Sequence, residues 1–401
     1  MKRFEYKAKD SKTGKVVKGM IQADTERTAG KLLVEQGYAP ISVVEEGQKG
    51  LFAGFGNKIT TKEKIVFTRQ FATLIGAGLP LATSLRSIAS QTENKVMKSV
   101  IEDVLANVEG GKNLTDACAK HPEVFDKVYI SLIQAGEMSG TLDLSLKRLA
   151  AQQEKDAAVM SKIKGALTSP GITLVVIVAV VIFLMLEVVP QVENLYESLG
   201  KDLPALTAVM VVAANFLMAQ WWILIIVIGV LVWGFMQFRK TDIGIRWAAL
   251  FKLNVPLFKE LFRRLYMARF ARTMENLLST GVAMLDSMEI SAEAMNNVVL
   301  QKEIQEAETK VRAGRPLSKA LEERDYILPL VPQMASIGEE SGKIDEMLGK
   351  AAQVYEDEVD EQVRSISAMI EPIMMVLLAV LAGGIIGAIL FPIYGLVNSV
   401  G

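Results

Sequence analysis

One cysteine and one histidine stand among 401 residues. Cys118 alone closes no intramolecular disulfide, and His121 alone cannot furnish the ligand clusters that zinc or iron sites need. Beside Pro122, His121 reads as a loop residue and Cys118 as a small core residue. Neither charge sign is in excess, with 44 basic against 45 acidic residues, so the totals point to no nucleic-acid partner. Nucleotide loops are missing as well. The Gly-Lys pairs are followed by Val16, Leu32, Asn113, Asp202, Ile344 and Ala351, none of which supplies the hydroxyl that must reach magnesium. The long apolar runs hold no Asp or Glu, which excludes intramembrane aspartyl chemistry, and a single histidine excludes a zinc-protease helix. No catalytic residue, cofactor or metal is expected, and ATP-driven work must come from a partner. The first 50 residues lack an apolar h-region, so no cleavable signal is expected.

What the chain has is concentrated hydrophobicity. Between Lys164 and Glu187 lie 22 uncharged residues, enough for a bilayer core that needs roughly 20. A transmembrane helix is expected over 169–187. Leu203 to Phe238 is uncharged for 36 residues, and at about 1.5 Å per residue one helix of that length is too long for a single upright span. The crossing is placed at 221–238, with Trp221 and Trp222 in one aromatic belt, and 188–220 is assigned as a periplasmic or interfacial segment. The final 30 residues carry no charge and supply a third span over 372–397, in which Gly383 and Gly387 form a small-xxx-small face. Lys147, Arg148, Lys155, Lys162 and Lys164 precede the first span and Arg239, Lys240, Arg246 and Lys252 follow the second. This bias predicts a cytoplasmic amino terminus and, by parity, an outside carboxyl terminus.

The intervening segments repeat. Phe67, Arg69, Leu74, Gly78, Gly111, Leu114 and Ala117 recur as Phe270, Arg272, Leu277, Gly281, Gly314, Leu317 and Ala320. After one deletion, Gly136-Glu137-Met138-Ser139-Gly140 recurs as Gly338-Glu339-Glu340-Ser341-Gly342, and Pro170 as Pro372. Each copy reads as an antiparallel helical bundle, over 60–168 and 239–371. A Thr60/Glu63 capping box opens the first, and breaks are expected at Gly76 to Pro80, Gly110-Gly111, His121-Pro122 and Gly136 to Gly140. Glu137 and Glu339 sit between glycines, where each can cap the next helix or touch a partner. From Thr141 a helix is expected to reach Leu186, kinked at Pro170. Glu356, Asp357, Glu358, Asp360 and Glu361, and Glu154 with Asp156, read as solvated helix face, with a divalent-cation site as the competing reading. Ahead of the first copy, 1–48 alternates and turns as a small ββαβ unit, and 49–59 is a Gly-rich linker. The fold class is therefore mainly α: an integral membrane protein with two duplicated cytoplasmic bundles, three transmembrane helices and a small α+β unit.

The chain resembles, over essentially its whole length, the inner-membrane platform family of type IV pilus and type II secretion machines. The resemblance rests on Phe67-Thr68-Arg69-Gln70, Ala77-Gly78-Leu79-Pro80-Leu81, Ala135 through Gly140, Val188-Val189-Pro190, Leu203-Pro204 and Glu371-Pro372. Ser169 departs from it, standing where the family places tyrosine. What it implies is a non-enzymatic, oligomeric scaffold in the inner membrane. Its implied partners are a hexameric assembly ATPase, pilin or pseudopilin subunits, inner-membrane alignment proteins and lipid. Arg69, Gly78, Gly136, Glu137, Gly140 and Pro170, with Arg272, Gly281, Gly338, Glu339, Gly342 and Pro372, are the candidate structural or partner-coupling residues. The alternative from another class is an oligomeric membrane channel or transport subunit.

Overall fold

The computed structural model describes residues 2–10, 16–23, 26–35, 37–45, 58–198, 205–256 and 258–400. The turn expected between Asp10 and Gly14 and most of the 49–59 linker lie outside the described residues. The amino-terminal unit has the order β1 (Lys2–Asp10), β2 (Val16–Ala23), α1 (Glu26–Glu35) and β3 (Tyr38–Glu45). β1 lies between β2 and β3 in an antiparallel sheet, with an irregularity at Lys7/Ala8. Ala29 of α1 packs with Ala23 to close a small core of its own.

The first copy comprises α2 (Thr61–Gly76), α3 (Leu81–Gln91), α4 (Lys95–Glu109), α5 (Leu114–Ala119), α6 (Lys127–Ser139) and α7 (Leu142–Ser198). Next come α8 (Ala205–Phe238) and α9 (Asp242–Asn254), which have no counterpart in the first copy. The second copy is α10 (Lys259–Ser279), α11 (Met284–Ala294), α12 (Val298–Arg312), α13 (Leu317–Glu322), α14 (Leu330–Ser341) and α15 (Ile344–Val400). α7 and α15 have 57 residues each, about 86 Å at 1.5 Å per residue. The duplication therefore governs the lengths of the long helices as well as the motifs inside the bundles.

Local sequence accounts for where the helices begin and end. Thr60 and Glu63 form the predicted reciprocal cap of α2, the Thr60 N–H donating to the Glu63 carboxylate at 2.6 Å. Asn94 caps α4 and Asn297 caps α12, each side-chain oxygen accepting two backbone N–H groups of the first turn. Gly78, Gly111 and Gly140 adopt φ of 81°, 85° and 73°, and Gly281, Gly314 and Gly342 match them at 87°, 90° and 70°. At each, the next residue's N–H bonds back to a carbonyl five residues earlier, as in Thr141 to Gly136 and Lys343 to Gly338, both 2.9 Å. A left-handed residue lets the chain reverse there, and only glycine takes that conformation without a Cβ penalty.

Phe67, Phe71, Leu85, Ile101, Leu132 and Leu146 centre the first core; Phe270, Met274, Ile304, Leu321 and Leu348 centre the second. The two are joined, because Leu277 of α10 belongs to the first core, with Val282, Ile290 and Ala294 packed against it. Three helices are long and apolar enough to cross a membrane, within Leu142–Ser198, Met218–Phe238 and Ile344–Gly384. Most of their apolar side chains, such as Val175, Phe183, Leu231, Val376 and Val380, are exposed. That exposure is what a lipid surround requires.

The segment 205–220 is a helical arm of α8, and the element bends at Gln220 (φ −129°, ψ 23°), at the junction assigned to the start of the second span. Two expectations change. First, α7, expected to end at Leu186, continues through Pro190 to Ser198. Packing explains this: Met185 and Val189 meet Val211 and Ala214 of α8, which supports the extra turns. Second, the chain does not break across Gly136 to Gly140; α6 runs through Gly136 and Glu137 and turns only at Gly140, and α14 does the same at Gly342.

Gly136 and Gly338 are there for space. A Cβ on Gly136 would lie 2.7 Å from Ser145 Oγ and 3.0 Å from Leu142 Cα, and one on Gly338 would lie 2.6 Å from Ile344 Cα. Gly338→Ala should therefore lower stability by about 1–3 kcal/mol or more, and Gly136→Ala somewhat less, because Ser145 can shift. Gly165→Ala meets nothing within 4 Å and should be neutral or stabilising. Thermal unfolding of the three variants in detergent checks the order; equal losses would contradict it.

Candidate functional site

The strongest concentration of interacting polar groups lies where α7 docks on the second copy. α7 and α10 run antiparallel there. Arg148 donates to Ser279 Oγ, Gln152 donates to Thr273 Oγ1 at 3.0 Å, Asn276 donates to Gln152 Oε1 at 2.6 Å, and Asp156 faces Arg269 at 3.5 Å. Thr273 and Asn276 are buried, so each hydrogen bond satisfies a group that water does not reach. α7 and α15 run side by side in the same direction, linked by Lys155 to Glu356 at 2.8 Å and Lys162 to Asp360 at 2.5 Å. Among and just past these polar links, Val159, Ile163 and Ala166 pack on Leu261, Leu265, Val359, Val363 and Ile366. After that apolar step α7 enters its outward-facing apolar run.

Arg272 is the hub. Its guanidinium holds Glu356 in a two-point grip, Nε to Oε1 and the second nitrogen to Oε2, both 2.8 Å, and its third nitrogen reaches Glu275 at 2.6 Å. Burial works to raise the Glu356 carboxyl's pKa, but hydrogen bonds and charge from Arg272 and Lys155 outweigh it and hold the group below its ordinary value. The equivalent pair in the first copy, Arg69 and Glu154, meets at 3.0 Å but stands far more in water, with Arg69 67% exposed against 17% for Arg272. The duplication thus keeps one ion pair in two environments. The copy facing the seam is the enclosed one.

Of the acids in 356–361, Asp357 and Glu361 are exposed, as a solvated face requires, but Glu356, Glu358 and Asp360 are engaged by basic side chains. Glu356 and Asp360 are bridged to α7, and Glu358 pairs with Arg264 of α10 at 2.9 Å. Glu154 and Asp156 are likewise bridged, to Arg69 and Arg269. Among the described residues no group of three or more His, Cys, Asp or Glu is placed to hold a metal ion. A stretch so rich in acids reads as solvated when its partners lie from 84 to 201 residues away.

Glu137 and Glu339 cap a helix, but the preceding one rather than the next. Glu137 of α6 accepts from the backbone N–H groups of Leu114 and Thr115 at the start of α5, at 2.5 and 2.9 Å, and from the Thr115 hydroxyl. Glu339 of α14 repeats this on Leu317 and Ser318 at the start of α13. A carboxylate suits the positive end of a helix, and here it also ties two helices together beside the turn that launches the long one. Gly136, Glu137 and Gly140 are therefore one cluster at the root of α7, and Gly338, Glu339 and Gly342 one at the root of α15. Gly78 and Gly281 turn the chain at the ends of α2 and α10. Pro170 and Pro372 lie inside the long helices, where the apolar runs begin.

Cys118 is buried, and burial followed by the nearby Glu137 charge pushes its thiol up to about 12, so it is an inert core residue. His121 meets Asp103 at 2.9 Å and Glu123 at 3.6 Å on the turn after α5, a contact that ties that turn to α4. Gln152 escaped the sequence reading, and Lys155 and Lys162 were read there only as charges ahead of the first span. The usable signal was the seven-residue spacing of the two lysines, which puts both on one helix face opposite an acidic stretch.

Glu137→Ala and Glu339→Ala should each cost about 1–3 kcal/mol, since each strands backbone donors in a partly buried place. A double-mutant cycle on Arg272 and Glu356 should return a coupling of about 1.5–3 kcal/mol, against about 0.2–1 kcal/mol for Arg69 and Glu154. The Glu356 contribution, from a group with a depressed folded pKa, is complete above the ordinary value of 4.5 and is lost as pH falls through the folded value. The stability gap between wild type and Glu356→Gln should therefore close on acidification. A gap that widens, measured by denaturation at stepped pH, would contradict this assignment.

Comparison with known proteins follows the same architecture. The family model described as type II secretion system (T2SS), protein F, matches twice, over 67–190 and 270–392. The model for that protein's N-terminal domain matches 1–44. The chain is 36% identical to the type IV pilus assembly protein PilC of Thermus thermophilus, over 99% of this chain and 98% of that one. It is 35% identical to the protein of the same name from Myxococcus xanthus, over 99% and 96%. It is 34% identical to the type II secretion system protein F of Vibrio cholerae, over 99% of both. With both copies, the amino-terminal unit and full-length relatives all in agreement, the chain belongs to the type II secretion system protein F family.

Proposed function

We propose that this chain is a non-catalytic platform of the inner membrane, with its amino terminus and both bundles in the cytoplasm and its carboxyl terminus outside. It couples a hexameric assembly ATPase to the insertion of pilin subunits into a type IV pilus. Inner-membrane alignment proteins, surrounding lipid and further copies of the chain complete the assembly. The observation that carries this reading is the pair of equal 57-residue helices, each rooted in a bundle and each running unbroken into an outward-facing apolar stretch. A helix held at one end in a bundle and at the other in lipid carries a push or a rotation along its axis. The seam of α7 with α10 and α15 favours movement of both bundles together. Relatives named for pilus assembly support the pilus version. Relatives named for type II secretion support a second version, in which the same platform inserts pseudopilins.

Crosslinking in intact membranes, followed by purification of the chain and mass spectrometry of what it carries, separates the readings. An assembly ATPase with a major pilin is the expected recovery. An ATPase with several pseudopilins would move the assignment to secretion, and self-crosslinks alone, with transport activity in the purified protein, would favour the transport subunit. Ala157→Pro removes a backbone bond in the middle of α7 and clashes with the preceding turn, at a cost of about 3 kcal/mol or more. It should abolish fibre assembly while the chain still inserts in the membrane. Normal fibres from a stably inserted variant would refute transmission along α7.

A further inference from the structure

Helix α9 has 13 residues and two unlike faces. Ala249 and Leu253 are buried against the second copy, the Ala249 carbonyl accepting from Asn297 at 3.5 Å and Leu253 belonging to its core, while Gly244 is buried in the corner with the end of α8. On the other side Ile243, Trp247 and Phe251, spaced by four, are 75%, 50% and 52% exposed. Three large apolar side chains in one row, two of them aromatic, form a stripe that bulk water does not favour.

The stripe is continuous with the surface of α8. Phe238, the last residue of that helix, lies edge-on to Trp247 at 6.3 Å between ring centroids, and Trp247 stacks on Phe251 at 5.1 Å. The corner between the helices is tightly set. Thr241 caps α9 by accepting the Gly244 N–H at 3.1 Å, and Gly244 passes so close to the Phe238 carbonyl that a Cβ would lie 1.9 Å from it. The exposed stripe is therefore held beside the end of the span. Around it stand Arg239, Lys240, Arg246 and Lys252 against one acid, Asp242. Arg239 lies over the Phe235 ring and Lys252 over Phe262, so basic groups interleave with aromatic ones. Aromatic rings with basic groups at the end of a span are the combination that settles in the headgroup layer and attracts anionic lipid.

We infer that α9 is a membrane-surface helix: it lies in the leaflet where α8 ends, with Ile243, Trp247 and Phe251 in the headgroup and upper acyl layer and its basic residues on anionic headgroups. The inference rests on α8 being a membrane span, and it adds a second attachment. Anchored by α9, the second copy cannot rotate freely beneath the bilayer, so a force reaching the seam is resisted at the membrane surface.

The test uses the full chain in vesicles of phosphatidylcholine and phosphatidylglycerol, with two single-tryptophan variants. W221F/W222F/W233F leaves Trp247 as reporter for α9, and W221F/W222F/W247F leaves Trp233 as reporter for α8. Bromines on the lipid chains are placed either near the glycerol or near the chain ends. At a depth of about 5–10 Å, Trp247 should lose about half its emission to shallow bromines, less to deep ones, and little to aqueous iodide. Exchanging phosphatidylglycerol for neutral lipid should reduce the shallow quenching. If Trp233 is quenched by lipid bromines while Trp247 is quenched only by iodide, the inference fails and the span stands. If neither responds to brominated lipid, the span reading fails and the inference with it. Trp247 shielded from both quenchers, with Trp247→Cys crosslinking to another copy, would give the stripe to a protein contact and overturn the proposal.

Discussion

Helix α7 passes through three surroundings in 57 residues, and the side chains it presents to each decide what else can pack. Near its root, Leu146 and Leu149 belong to the first core. In its middle, Gln152, Lys155 and Lys162 meet polar partners on the second copy, and Val159, Ile163 and Ala166 meet apolar ones. Between Pro170 and Leu186 most of its apolar side chains are exposed, Val175 and Phe183 among them. A helix that is polar all round would not enter lipid, and one apolar all round would not dock reversibly on a soluble bundle. The graded surface solves both demands, and it makes the first copy's last helix a structural member of the second copy.

Duplication explains much of this economy. Glu137 and Glu339 tie the same helices, three left-handed glycines in each copy fall at the same turns, and Arg69–Glu154 and Arg272–Glu356 are one pair made twice. The copies diverge where they meet. Arg272 is enclosed and gains Glu275, and Glu356 gains Lys155 from the other copy, whereas Arg69 and Glu154 stay at the surface. A motif that merely holds a bundle together in one copy becomes part of the joint between copies in the other. The cost of desolvating Arg272 and Glu356 is offset only because the two-point geometry and the added partners satisfy both groups.

The root clusters give the architecture its direction. At Gly136 and Gly338 the absence of a side chain lets the incoming long helix approach, and the neighbouring glutamate fixes the short helix before it. Displacement of either short helix therefore acts through a carboxylate and a close backbone contact on the first turn of a helix about 86 Å long. At the other end, Met185 and Val189 against Val211 and Ala214 show that α7 keeps a packing partner beyond the apolar run. The element is held at both ends.

Much was legible from local signals: the two copies, the Thr60 cap, the ββαβ unit, the span-length apolar runs and the break near Gln220. Each depends on spacing, composition or a residue's own backbone preference, which a sequence displays directly. The extension of α7 through Pro190 was not, because proline reads as a stop unless the packing that supports the helix is known. Nor was the target of Glu137, since a carboxylate between glycines offers itself equally to the helix ahead and the helix behind. The acidic stretch from Glu356 to Glu361 shows the same limit most plainly. Its residues could be read as acids on a helix, but only the docking of α7 brings Lys155 and Lys162 against them. Sequence by itself determined the helices, the repeat and the membrane runs, because these follow from neighbours in the chain. Which charges are paired, which copy's arginine is enclosed and where the two bundles join were decided by tertiary structure alone, because those energies depend on distances between residues some 200 positions apart.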